Sequence, residues 1–243
     1  MLLKKILGSL RNADNAYDLI QDKDKIAVGI SGGKDSVLLL YCLSLYKRFS
    51  KKDFEVIGVS IDVGFENDLK PIVDFFLKDN IQIVIEKTRI KEILELHKHH
   101  DNLDCSLCAN LKKGALVKVS KELGCNKLAL GHNVDDAIET LLLNQIYGGK
   151  ISTFQPKQIL SRDNITMIRP LVYASENDIR KTCTQLSLPI VASNCPRDGY
   201  SKRQDIKELL EKIYEQYPPA KKNFQKMLLN DQQISLWKEK DKQ

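Results

Sequence analysis

The stretch KIAVGISGGKDSVLLLYCLSLYKR, residues 25–48, decides the architecture. KIAVGI (25–30) is a short, unbroken apolar run and reads as a buried strand, and residues 35–48 carry a helical pattern. Between them lies SGGKDS (31–36). Gly32 and Gly33 let the backbone turn tightly and aim N–H groups at an anion. The helix that follows adds its free amides and dipole. Ser31 and Ser36 add hydroxyl donors, Lys34 adds charge, and Asp35 stands where a helix begins. The pattern lacks the G-x-x-x-x-G-K-[ST] spacing of a Walker A loop and is not G-x-G-x-x-G. It is a phosphate cradle at the C-terminal end of a strand, and its bland alternative is a tight strand–helix turn capped by Asp35.

Downstream, the alternation repeats. FEVIGVSID (54–62), IQIVIEK (81–87) and KLALG (127–131) read as strands. Helical patterns cover about 67–79, 89–97, 111–123 and 135–147, and HKHHDNLD (97–104) is a polar loop. Continuous apolar strands alternating with helices predict an α/β fold, a doubly wound parallel sheet with helices on both faces. Farther on, 151–171 reads as short strands around a turn at Arg162–Asn164, 176–187 as a helix, 188–193 as a short strand and NCPRDGYSKR (194–203) as a loop. A helix over 204–217 ends at Pro218–Pro219, and another helix follows. The chain thus divides into an N-terminal helix (1–24), a main α/β domain (25–200) and a small helical C-terminal extension (201–243).

GHNVDDAIETLLLN (131–144) places Gly131, His132 and Asn133 where a strand gives way to a loop. Asp135 and Asp136 open the next helix, which suits its dipole. Paired carboxylates beside a phosphate site are natural magnesium ligands, and capping alone is the competing reading. Asp62 ends the second strand, a common place for a turn residue. Cys105 and Cys108 form CSLC at the opening of a helix, and Cys195 lies in NCPRDG. This trio suits structural zinc with a nitrogen from His97, His99 or His100, a redox dithiol, or a 4Fe-4S cluster with one open iron. Residue chemistry alone leaves zinc and cluster level. Cys42 sits in an apolar helix, Cys125 follows a helix-ending glycine and Cys183 lies on an amphipathic helix, and all three read as buried small hydrophobes.

Among 243 residues, 42% are hydrophobic and 29% charged, with a net charge of +6, which allows a polyanionic partner without requiring one. There is no apolar run long enough for a transmembrane helix, and the N-terminal segment puts Leu2, Leu3, Ile6, Leu7 and Leu10 on one helical face instead of forming a leader. The reading is a cytoplasmic protein with no membrane partner.

SGGKDS resembles the pyrophosphate (PP) loop of the N-type ATP pyrophosphatases. Together with CSLCANLKKG (105–114), GHNVDD (131–136), YGG (147–149) and IRPL (168–171), it resembles the tRNA 2-thiocytidine synthetase family over roughly residues 20–210. The resemblance implies a doubly wound fold and an ATP-dependent tRNA sulfurtransferase that adenylates the C2 carbonyl of a cytidine, at position 32 of the anticodon loop, and replaces oxygen with sulfur. It implies ATP, Mg²⁺ and a 4Fe-4S cluster as cofactors. Residues 31–36, Gly131, His132, Asn133, Asp135 and Asp62 would serve the nucleotide, and Asp136 the magnesium or the carbonyl. Cys105, Cys108 and Cys195 would hold the cluster; where other members carry a second CxxC this chain has SNCPRDG. Lys112 occupies the family's lysine position and, with Cys105 and Asp136, is a catalytic candidate. Implied partners are tRNA, a sulfur donor such as a cysteine desulfurase, and a second copy in a homodimer. Lys113, Lys150, Lys157, Arg169, Arg180, Lys181, Lys202 and Arg203 are candidate RNA contacts. Two alternatives stay open: the same chemistry on another tRNA base or a small molecule, and a non-catalytic zinc- or cluster-containing nucleotide-binding module.

Overall fold

A computed structural model describes residues 1–98, 103–197, 199 and 201–237. His99 and His100, and with them half of the 97–104 loop predicted above (residues 99–102), lie outside the described residues. The chain forms two units: Met1–Asp135 with Phe154–Ser201, and Asp136–Thr153 with Lys202–Gln243.

The first unit is built on a sheet in the order β3-β2-β1-β4-β6-β5. Its strands are β1 (Asp24–Gly29), β2 (Phe54–Asp62), β3 (Ile83–Lys87), β4 (Lys127–Ala129), β5 (Lys157–Leu160) and β6 (Ile165–Ile168). β1, β2, β3, β4 and β6 run parallel, and β5 closes one edge antiparallel to β6. In register, Ala27 of β1 faces Ile57 on one side and Leu128 on the other. Side chains alternate across the sheet. Ile26 and Val28 enter the apolar cluster built with helices α1 (Leu2–Tyr17), α2 (Lys34–Lys47), α3 (Lys70–Leu77) and α7 (Glu176–Gln185). Ala27, Ile57, Val59 and Ile61 enter the opposite cluster, with α4 (Ile90–Leu96) and α5 (Cys105–Glu122). Two covered faces explain why the parallel strands read as continuous apolar runs.

α1 packs Ile6, Leu10 and Ala13 on its inner face, as its periodicity predicts. Its fully buried Asp14 accepts bonds from the Ile20 amide (2.9 Å), the Tyr46 hydroxyl (2.8 Å) and the Lys52 ammonium (2.7 Å).

Residues 188–193 form no strand. β1 already has β2 and β4 as neighbours, and Pro189 offers no N–H for a ladder. The Leu188 amide bonds instead to Cys183 O (3.1 Å), and the Val191 amide to Gly32 O (3.0 Å), so the segment braces the SGGKDS loop.

The second unit holds most of α6 (Val134–Gly148), α8 (Lys202–Gln216) and α9 (Ala220–Met227). Its small core groups Ile138, Ile206 and Leu210 with Leu142, Tyr214 and Phe224. Among the described residues no helix is long and apolar enough to cross a membrane.

Candidate functional site

The SGGKDS loop leaves the C-terminal end of β1, beside β4, where the strand order reverses direction. In doubly wound sheets this is where ligands bind. Gly32 has φ +91°, a conformation that costs glycine nothing, and a Cβ there would meet Leu69 at 3.2 Å. Hydroxyls order the rest of the turn. Ser31 N donates to Ser36 Oγ (3.1 Å), Gly33 N donates to Ser31 Oγ (3.3 Å), and Ser36 Oγ donates to Gly33 O (2.9 Å). Gly33 is the N-cap of α2 and no side chain caps that helix, so its first-turn amides face outward for an anion. The Lys34 ammonium lies 3.0 Å from Asp35 Oδ2 and 3.0 Å from Glu176 Oε1. Burial pulls its pKa down, but the adjacent Asp35 and Glu176 carboxylates outweigh this and hold it above the ordinary lysine value.

Gly131 explains the glycine of the second motif. A Cβ there would stand 2.9 Å from Asp35 C and 3.0 Å from both Asp35 O and Ser36 N. The start of the GHN segment therefore lies directly against the first turn of α2. Asn133 Nδ2 donates to Asp35 Oδ1 (3.1 Å), and Asn133 Oδ1 accepts from the Asp135 amide (2.9 Å). Asp135 Oδ2 accepts from the Glu176 amide (2.7 Å), tying the motif to the start of α7. His132 stacks on Phe154 with centroids 4.9 Å apart and accepts at Nδ1 from Arg169 Nε (3.2 Å). Arg169 also donates to Gln155 O (2.5 Å) and lies over Phe154 (4.9 Å). Burial alone pushes the Arg169 pKa down to about 10.

Asp62 accepts from the Gly64 amide (2.9 Å), and its carbonyl receives the Thr88 amide (2.9 Å), so it holds the turn after β2. Asp136 belongs to the second unit, where Arg203 Nη1 lies 3.8 Å from it and 3.0 Å from Glu139.

α5 starts six residues before its predicted first residue, because Asp104 caps it by accepting from Ser106 N (2.8 Å) and Leu107 N (3.1 Å). Cys105 and Cys108 thus stand one turn apart at a helix N-terminus. Burial pushes the Cys108 thiol up, Lys112 pulls it down, and Cys195 and Cys105 push it up further. The three thiols and Lys112 therefore share one neighbourhood. Cys195 is seated by a loop in which its amide bonds to Ser193 Oγ (3.2 Å) and the Asn194 amide bonds to Asn67 Oδ1 (2.8 Å). All six cysteines are free. Among the described residues no three His, Cys, Asp or Glu side chains close on one metal ion. Two cysteines on one helix turn and a third on a nearby loop are the soft donor set that a cluster takes, its ligands going to separate irons. His97 bonds to Ile93 O (2.8 Å) on an exposed surface.

Two residues differ from their sequence reading. Arg169 is 5% exposed, so its role as an RNA-backbone contact is replaced by one behind His132. Glu176, the partner of Lys34, has no site signal in the sequence; the Ser175–Glu176–x–Asp178 start of α7 marks a helix N-terminus but not a partner 142 residues away. Lys157 bonds to Asp18 O (2.5 Å), and Lys202 lies over the Tyr147 ring (4.4 Å).

The profile of a family described as a PP-loop domain matches residues 4–212. A tRNA-cytidine(32) 2-sulfurtransferase from Pelobacter propionicus is 39% identical over 232 residues, covering 94% of this chain and 86% of its own. One from Geotalea daltonii is 39% identical over 234 residues, covering 95% and 93%. The U34-tRNA thiolase NcsA from Methanococcus maripaludis, solved with its [4Fe-4S] cluster, superposes with a TM-score of 0.73 at 24% identity, over 96% of this chain and 80% of that one. That likeness extends to the fold.

Proposed function

Since this chain belongs to the PP-loop family, in the branch of the tRNA-cytidine(32) 2-sulfurtransferases, we propose that it thiolates tRNA with ATP at the C2 carbonyl of cytidine 32. A carbonyl oxygen is a poor leaving group. In the first step that oxygen attacks the α-phosphorus of ATP, the α–β phosphoanhydride bond breaks and pyrophosphate leaves. The outward amides of α2 and the Ser31–Ser36 loop receive the charge gathering on the phosphates. Lys34 exchanges its two carboxylate partners for phosphate oxygens. His132 and Asn133 line the nucleotide, and Asp136, with Asp135 beside it, provides oxygen ligands for Mg²⁺. In the second step a sulfide equivalent adds to C2, the C2–O bond breaks, and AMP leaves with the oxygen.

Cys105, Cys108 and Cys195 would hold a 4Fe-4S cluster, which would supply an iron site able to carry the sulfur. The Lys112 ammonium, beside those thiols, stabilises negative charge on the departing oxygen. A sulfur donor such as a cysteine desulfurase would replenish the sulfide, a second copy would complete a homodimer, and the cytoplasm is the expected location.

The observation that carries this reading is one unit holding both a braced phosphate loop and a trio of free thiols with a neighbouring lysine. The test is nucleoside mass spectrometry of tRNA from a deletion strain and its parent. Loss of 2-thiocytidine, restored by the wild-type gene but not by Cys105→Ala, is the expected result. Persistence of 2-thiocytidine with loss of another thionucleoside would move the acceptor and keep the chemistry.

A further inference from the structure

A cavity of 670 Å³ opens on the first unit beside the thiols. Its wall includes Asn194 and Pro196, which flank Cys195, and Leu103, two residues before Cys105. No residue of the 31–36 loop lines it, but its Asn194 wall follows Val191, whose amide bonds to Gly32 O (3.0 Å), so the cavity opens next to the phosphate cradle without being part of it. Phe65 lines the cavity half-buried, and the Lys91 ammonium lies 5.9 Å from its ring centroid. Lys98 and Arg197 bring further positive charge, against the carboxylates of Glu66 and Glu95.

The wall is built in advance. Gly64, at φ +97°, would place a Cβ 3.2 Å from Lys91 Cβ, so the turn carrying Phe65 lies flat on α4. The Lys91 amide bonds to Val63 O (2.9 Å), and Asn194 Nδ2 donates to Glu66 O (3.1 Å). Both walls are held before any ligand arrives.

The C2 carbonyl of a pyrimidine lies on its pairing edge, inside the stack. An enzyme that modifies it must take the base out of that stack and hold it. Stacking on an aromatic face and cations on the flanking phosphates are the general means of holding a single-stranded base. We propose that this cavity receives the extruded pyrimidine nucleotide, with Phe65 stacking on the base and Lys91 and Lys98 holding its flanking phosphates. The proposal rests on the RNA reading above and assigns its substrate a place.

The test uses cluster-free full-length protein and a labelled anticodon stem–loop RNA, with either a cytidine or an abasic residue at the target position. Removing the base weakens wild-type binding by about tenfold, within the range for one stacked base. Phe65→Ala weakens binding of the intact RNA by the same factor and leaves the abasic RNA unchanged, because base and ring are one interaction. Phe65→Leu keeps the apolar packing, loses the aromatic face, and gives the same pattern in a folded protein. Lys91→Ala and Lys98→Ala each reduce the salt dependence of binding by about one charge. Phe65 effects that are equal on both RNAs, or absent, overturn the cavity assignment while wild-type binding keeps the RNA reading. Competition between a non-hydrolysable ATP analogue and the intact RNA alone also overturns it, giving the cavity to the nucleotide. Failure of wild-type protein to bind either RNA overturns both.

Discussion

Arg169 donates its Nε–H to Nδ1 of His132 at 3.2 Å, and that bond fixes which imidazole nitrogen carries the proton. A guanidinium has only donors, so Nδ1 must accept and the neutral ring must be protonated at Nε2. Arg169 is buried, with Phe154 beneath both groups. The ¹⁵N spectrum of histidine-labelled protein, assigned with His132→Gln, should show the Nε2–H tautomer at pH 8. Arg169→Gln should release that preference and lower kcat/KM for ATP by about tenfold or more, the scale of a charge-assisted bond. An unchanged tautomer in the variant would remove Arg169 from this role.

Gly131→Ala should separate nucleotide chemistry from folding. Its new methyl would stand 2.9 Å from the backbone of Asp35, in the first turn of α2. Backbone cannot swing aside as a side-chain tip can, so either α2 or the GHN segment must shift. The strain costs about 1–3 kcal/mol. Circular dichroism should stay native while ATP turnover falls by roughly two orders of magnitude, because small misplacements in a reactive site are magnified. Turnover within a few-fold of wild type would mean that the loop tolerates the shift.

These residues also mark how far the sequence alone could reach. The strand, glycine pair and helix around Ser31–Ser36 are contiguous, so local rules sufficed to place the phosphate loop. Apolar periodicity begins near Leu111 and so predicts a late start for α5, whereas Asp104 nucleates the helix through two backbone amides. Residues 188–193 have strand composition but no free sheet edge beside β1, a fact of topology. Arg169 looked like one basic residue among many, and only folding brings it to His132, 37 positions away. Glu176 was invisible for the same reason: its partner, Lys34, is across the sheet's switch point in sequence but adjacent in space.

Asp14 anchors α1 to the first unit. Replacing it with Ala would strand the Tyr46 hydroxyl, the Ile20 amide and the Lys52 ammonium, all of which bond to it. The expected loss is about 2–4 kcal/mol, less than for a fully dry ion pair because Lys52 reaches solvent. That corresponds to a drop in Tm of about 5–12 °C. Asp14→Asn retains one acceptor and should lose less. Equal melting temperatures for wild type and Asp14→Ala would show that α1 docks by apolar contacts alone.

Asp178 gives the fold a measurable acid dependence. The Lys5 ammonium, 2.7 Å away, holds its carboxyl below the usual carboxylate range, and burial opposes this. A carboxyl whose pKa is lower in the folded state stabilises the fold above its unfolded value, near about 4, and loses that contribution as pH falls through the folded value. Lys5 is 64% exposed, so screening limits the contribution to about 0.2–1 kcal/mol. Urea unfolding should find Asp178→Asn less stable than wild type by that amount at pH 6, with the gap closing at the acid end. A gap that persists unchanged at low pH would assign the loss to helix capping by Ser175 and Asp178 instead of charge.

The cysteines should react in an order set by exposure and thiol pKa. Burial pushes the Cys42 thiol far up and Cys183 to about 11, so both are thiols, not thiolates, at pH 8. Cys125 is buried and shifted upward as well. Cys105 is exposed and Cys195 partly so, while Cys108 is half-buried with a raised pKa. Brief alkylation of cluster-free protein, read by peptide mass spectrometry, should mark Cys105 and Cys195 first, Cys108 more slowly, and Cys42, Cys125 and Cys183 only after denaturation. The reactive thiolate fraction falls about tenfold for each unit of upward shift, so the separation should be wide. Anaerobic loading with iron and sulfide should then protect Cys105, Cys108 and Cys195 together and leave the slow group unchanged. If Cys195 stays reactive while Cys105 and Cys108 are protected, the third ligand lies elsewhere and the loop at 193–197 serves only to shape the cavity. Protection of all three, lost at all three in Cys195→Ser, would show that they hold one group.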